Sequence, residues 1–138
     1  MGTLKDIQTE IVEEFEMFDD WMQKYEYLID LGKELAPIEE QYKTEDNLIK
    51  GCQSRVWLHA EKQDGKIIYT ADSDAIMTKG IIAILIRVLS GQQAAEIISA
   101  DLSFIDTIGL KEQLSATRAN GLVSMIKKMK LYALAYQN

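Results

Sequence analysis

Two side chains in this sequence of 138 residues stand out for chemistry: Cys52 is its one cysteine and His59 its one histidine. A zinc site draws four ligands from Cys, His and carboxylates, three of them from protein even where the zinc is catalytic. An iron–sulfur cluster is normally held by four cysteines. One Cys and one His, seven residues apart, supply neither, so no metal site is expected. A Cys–His dyad would require the loop to fold back along its own strand. His59 therefore reads as a half-exposed strand residue on the face of Trp57. No Gly-x-Ser-x-Gly elbow, Walker loop or dinucleotide fingerprint is present. Asp72-Ser73-Asp74 has the composition of an acidic site, but its place before an apolar run reads as helix capping.

That leaves Cys52. Free cysteines are among the most buried residue types, which favours an inert thiol. Three local features argue the other way. The run Lys50-Gly51-Cys52-Gln53-Ser54-Arg55 is polar apart from the thiol. Gly51 removes side-chain bulk where a large partner would approach. Lys50 and Arg55 flank the sulfur with positive charge, which stabilises a thiolate from its free pKa of about 8.5. On the residues alone, a reactive and an inert cysteine both stay open.

The elements that must position this loop follow from periodicity. Leu4, Ile7, Ile11, Phe15 and Phe18 make an amphipathic helix with Thr3 as N-cap. Trp21, Tyr25, Leu28 and Ile29 mark a second helix, which ends near Gly32 and cannot continue past Pro37. Residues 38–54 read as one long loop, a length that is often functional when ordered. Residues 55–63 alternate as a strand, Asp64-Gly65 is a two-residue hairpin turn, and residues 66–71 return. Ser73 is then the expected N-cap of a mostly apolar helix over 75–89, the centre of the core. Ser90 and Gln93 have capping-box spacing for a short helix, and Gly109 marks a break. Thr117 is the expected cap of the last helix, whose stripe is Leu122, Met125, Ile126, Met129, Tyr132 and Ala133. Helices, hairpin, helices predict a single α+β domain over 1–138.

Composition bounds the partners. The formal charge is −7, which disfavours a nucleic-acid backbone as ligand. Residues 1–46 hold fourteen acids and four bases, and the remainder is slightly basic. The longest apolar stretch, 81–89, is interrupted by Arg87, whereas a bilayer span takes about 20 residues. The first twenty residues are acidic and amphipathic, unlike a signal peptide. A single cysteine allows no intramolecular disulfide, and a cytoplasmic, reducing location is expected.

At the cysteine loop the sequence resembles a known family. Gly51-Cys52-Gln53-Ser54-Arg55-Val56-Trp57 is similar to the GCQSxVW signature of SufE-type and CsdE-type sulfur acceptor proteins. Asp72-Ser73-Asp74-Ala75 with Lys79-Gly80-Ile81-Ile82-Ala83 resembles the family's SDA…KG-hydrophobic segment. Leu114-Ser115-Ala116-Thr117-Arg118-Ala119-Asn120-Gly121-Leu122 resembles its L-[ST]-x-x-R-x-x-G-L segment, with Ala116 where many members have proline. Arg55 falls at a variable position of the signature.

The resemblance implies a small curved antiparallel sheet packed against helices, as in IscU-type scaffolds, with a short third strand around 47–49. It implies an acceptor of sulfane sulfur from the persulfide of a cysteine desulfurase of the SufS or CsdA kind. That enzyme is stimulated, and the sulfur passes to an iron–sulfur scaffold complex of the SufBCD kind. Sulfur would ride as a covalent persulfide on Cys52, with no bound cofactor. Pyridoxal phosphate stays on the desulfurase. The loop residues Gly51, Gln53, Ser54 and Arg55 would support Cys52. Asp74 and Arg118 would lie beside the loop, Arg118 pairing with Asp74 or holding the loop backbone. Cys52 is expected partly covered, with 47–55 swinging outward on docking. Two other readings remain: a non-catalytic activator that only docks, and a thiol redox sensor.

Overall fold

The computed structural model describes residues 3–137. Two amphipathic helices come first, α1 (Leu4–Glu16) and α2 (Trp21–Lys33). Thr3 caps α1 as expected: its hydroxyl accepts from Asp6 N at 3.1 Å, and the Asp6 carboxylate accepts from Thr3 N. Asp20 caps α2 through Gln23 N at 2.9 Å. Two short 3-10 turns follow, Glu40–Tyr42 and Glu45–Asn47. The hairpin is β1 (Val56–Gln63) and β2 (Lys66–Ser73), paired antiparallel from Val56↔Ser73 to Gln63↔Lys66. Then come α3 (Ile76–Leu89), the short α4 (Ala94–Ile98), α5 (Phe104–Thr107) and α6 (Leu110–Gln113), and the long α7 (Ala116–Ala135). The α+β expectation holds, with a two-stranded open sheet.

The alternation along the hairpin decides which way it faces. Val56, Leu58, Ala60, Ile67, Tyr69 and Ala71 are buried in the core with α3 and α7. Three tyrosine hydroxyls stitch the last helix to the rest. Tyr69 donates to Met129 O at 2.6 Å, Tyr136 to Ala60 O at 3.0 Å, and Tyr132 bridges Leu58 O and Asn47 Oδ1 at 3.1 and 2.9 Å. On the other side of α3, α2 packs closely because Gly32 and Gly80 face each other. A Cβ on Gly32 would fall 2.8 Å from Gly80 N.

Several local expectations shift. The third strand around 47–49 is reduced to one bridge, Leu48 with Trp57, flanked by Ile49 N donating to Val56 O at 2.8 Å. Ser73 is not the cap of α3. It ends β2, and its hydroxyl accepts from Ala75 N at 3.2 Å, while Ala75 itself is the uncapped N-cap. Ser115, not Thr117, caps α7, accepting from Arg118 N at 3.3 Å. Ser90 and Gln93 form no capping box, because the Ser90 hydroxyl is engaged by Tyr69 N.

Candidate functional site

The segment read as one long loop is held over most of its length. Tyr42 stacks on His59 with ring centroids 3.5 Å apart, and His59 Nε2 lies 3.0 Å from Glu61 Oε1. His59 is thus engaged on the outer face of the sheet with Tyr42 and Glu61. Lys43 pairs with Asp72 at 2.9 Å and lies over the Trp57 ring at 5.5 Å. Asn47 Nδ2 donates to Tyr42 O at 2.7 Å. The last contact before the cysteine is the Ile49–Val56 hydrogen bond. The first after it is a two-way clasp: Arg55 N donates to Asp74 Oδ1 at 3.0 Å, and Asp74 N donates to Arg55 O at 3.2 Å. Between these anchors lie residues 50–54, with Cys52 in the middle.

Gly51 turns this tip with φ +93°, a conformation that side chains resist. A Cβ there would also meet Ser124 Oγ of α7 at 2.5 Å. Cys52 is half-buried, and its thiol donates to Gly121 O at 3.6 Å. Gly121, on α7, leaves the space the sulfur fills. A Cβ on it would sit 3.4 Å from Cys52 Sγ. Beside the sulfur is a niche of about 60 Å³, walled by Thr78 and Ile81 of α3 and by Thr117, Arg118, Gly121 and Met125 of α7, with Gln53 and Ser54 at its loop side. A larger cleft, about 730 Å³ between α1 and the start of α5, shares no lining residue with it.

Burial pushes the Cys52 thiol up. The expected lowering by Lys50 and Arg55 is absent, because both side chains are exposed to solvent while the sulfur turns inward. Asp74 and Arg118 do not pair with each other. Asp74 holds the backbone at Arg55, and Arg118 forms no ion pair among the described residues but lines the niche. It is the one charged group there. Gln53 and Arg55 are exposed and Ser54 is half-buried. The chemistry such a site can do is nucleophilic exchange at one half-buried sulfur. Among the described residues no cluster of three or more His, Cys, Asp or Glu could hold a metal, and no helix is long and apolar enough to cross a membrane.

The comparisons with known proteins agree with the cysteine signature. The model of the SufE family, the Fe-S metabolism associated domain, matches residues 9–133. The chain belongs to the SufE family. With that comes an association with iron–sulfur metabolism. A SufE-like protein of Synechocystis is 39% identical over 136 residues, covering 99% of this chain and 86% of the relative. A SufE-like protein of Rhizobium meliloti is 40% identical over 126 residues, covering 88% of this chain and 90% of the relative. SufE-like protein 1 of Arabidopsis thaliana, named chloroplastic/mitochondrial, is 40% identical over 126 residues, which is 91% of this chain but 34% of that longer protein. The solution structure of a hypothetical protein from Thermus thermophilus shares the fold, with a TM-score of 0.78, 18% identity and 94% coverage of both chains. Within this SufE-family site, sequence reading missed Thr78, Ile81, Thr117, Gly121, Ser124 and Met125 as neighbours of the cysteine. For α7 a signal existed: Arg118, Gly121 and Met125 recur at helical spacing from the family's last motif, so one face carries all three.

Proposed function

We propose that this protein is a sulfur carrier that takes persulfide sulfur from a cysteine desulfurase onto Cys52, stimulates that enzyme, and delivers the sulfur for iron–sulfur cluster assembly. The Cys52 thiolate attacks the outer sulfur of the donor's persulfide. A new S–S bond forms at Cys52, the donor's own S–S bond breaks, and the donor cysteine leaves as a thiolate. The charge is conserved and no external oxidant enters. One cysteine is therefore enough, and pyridoxal phosphate belongs to the donor alone. The donor is a desulfurase of the SufS or CsdA kind and the receiver a scaffold of the SufBCD kind, in a reducing, cytoplasm-like setting.

The observation that carries this reading is the tip itself: a thiol turned inward on five residues, clasped at both ends, with a niche beside it. Burial keeps the resting thiol protonated, and outward movement of 50–54 would expose it to water and to the exposed Lys50 and Arg55. The segment expected to move thus shortens from 47–55 to 50–54. Incubation with a desulfurase, pyridoxal phosphate and cysteine, followed by mass spectrometry, tests the reading. One added sulfur atom on the Cys52 peptide is expected, and Cys52→Ser abolishes both the added sulfur and the stimulation. Stimulation retained by Cys52→Ser would instead mean an activator that works by docking alone.

A further inference from the structure

On its α3 side the niche wall carries one polar residue that the exchange chemistry above does not use. Thr78 is the one buried polar residue among the described residues, 6% exposed, and it lines the niche beside Cys52. It stands in the first turn of α3, where Ala75 offers no side-chain cap. Its companion on the α3 wall, Ile81, is apolar, while the α7 wall opposite brings Met125, Thr117 and Arg118. No enclosed side-chain oxygen or nitrogen among the described residues lacks a partner. Thr78 enters none of the side-chain hydrogen bonds among the described residues, so its hydroxyl is not fully enclosed, and the residue lines the niche. A cavity needs only about 10–15 Å³ to seat a water-sized group. The niche, at about 60 Å³, has room for one more sulfur beyond Cys52 Sγ.

We infer that Thr78 is a positioning residue for stored sulfur: its hydroxyl donates a hydrogen bond to the terminal sulfur of the Cys52 persulfide while the tip is retracted. The inference rests on the carrier reading for its purpose. A persulfide's outer sulfur is the atom that reductants and acceptors attack. An inward-facing donor holds that sulfur in the niche and lowers the fraction of time it spends outside. Arg118 meets an anionic sulfur from the α7 side; on the α3 side, where the other wall residue is Ile81, Thr78 offers the donor that offsets its desolvation.

The test loads Cys52 with inorganic polysulfide, which needs no desulfurase. The Cys52 thiolate attacks a terminal sulfur of the polysulfide chain, which leaves as a chain one sulfur shorter. Loss of the added sulfur to dithiothreitol is followed by intact mass for wild type, Thr78→Val, Thr78→Ala and Thr78→Ser, with Tm measured for each. Thr78→Val and Thr78→Ala are expected to lose the sulfur about threefold faster or more, the effect of one hydrogen bond, and Thr78→Ser to match wild type. Equal rates in all four, or Thr78→Ser as fast as Thr78→Val, overturns the assignment, since packing alone would then account for Thr78. A parallel arm offers the desulfurase with cysteine to wild type. Failure there with the rate differences intact overturns the carrier reading and leaves the Thr78 assignment standing. Loading there with equal rates does the reverse.

Discussion

At the scale of single residues, the chemistry turns on whether a thiol faces water. Cys52 donates to the Gly121 carbonyl and is half-buried, so its proton is held more tightly than in an exposed cysteine. The folded chain therefore keeps this proton to higher pH than the unfolded chain. The stability it contributes is complete below the ordinary thiol value and is lost as pH rises from there through the raised value of the folded chain. The alkylation rate of the free protein should accordingly keep rising beyond about pH 8.5, the ordinary cysteine midpoint. Asp74→Ala removes the hydrogen bond to Arg55 N and should free the tip. Its expected signature is faster alkylation of Cys52 at fixed pH, a midpoint nearer the ordinary value, and a stability loss of about 1 kcal/mol. Iodoacetamide kinetics followed by mass spectrometry reads the first two. An unchanged rate would mean that Asp74 does not restrain the tip. The motif around Cys52 made it legible in the sequence as the candidate nucleophile. The partner of Asp74 was not legible, because it is a backbone N–H, and main-chain donors look alike from every residue.

At the scale of elements, two glycines set how α2 and α3 meet. A Cβ on Gly80 would overlap the Leu28 carbonyl, 2.9 Å from its carbon, and one on Gly32 would press on the Gly80 backbone. Gly80→Ala should cost about 1–3 kcal/mol through overpacking. Because both glycines serve one contact, the double variant Gly32→Ala/Gly80→Ala should lose less than the sum of the singles. Urea unfolding midpoints of the three variants check this; strict additivity would show two unrelated sites. The hairpin was readable because Asp64-Gly65 fixes the turn, and with it the register and the buried face. Helix starts were less readable. Ser73 and Thr117 have the right residue types, but neighbours compete for the same job. Ser73 stays in the sheet ladder opposite Val56, and Ser115 accepts from Arg118 N in the first turn of α7, with Thr117 already inside the helix. The stretch 38–54 lacks a period, so its anchoring by Tyr42, Lys43 and Asn47 came from tertiary partners that periodicity does not encode.

At the scale of the whole molecule, one charged cluster ties three helices together. Arg87 of α3 donates to both carboxylate oxygens of Glu14 in α1, at 2.6 and 2.5 Å, and Tyr27 of α2 donates to the same carboxylate. The guanidinium bonds hold the Glu14 carboxyl below the usual carboxylate range, with help from Tyr27 and against its own burial. A lowered pKa in the folded state gives a contribution that is full above the ordinary carboxylate value and is lost as pH falls from there through the lowered value of the folded chain. Glu14→Gln should therefore be clearly less stable than wild type at about pH 7, with the gap narrowing toward about pH 3.5. Urea titrations at both pH values decide it, and a constant gap would count against the ion pair. The α+β plan and the central place of the apolar third helix were legible from pattern alone. This staple was not, since its members lie 73 residues apart, in an acid-rich stretch where many carboxylates looked equivalent. The clasped tip carries one more consequence, and it concerns distance. Chain paid out from residue 49 must come home to residue 55, so the outward excursion is limited to half the contour of the short span between them, roughly 10 Å. On the proposed carrier role, a donor would have to bring its sulfur within that radius of this protein's surface, which makes the length of the leash a measure of how shallow, or how forward-reaching, the matching enzyme's catalytic arm must be.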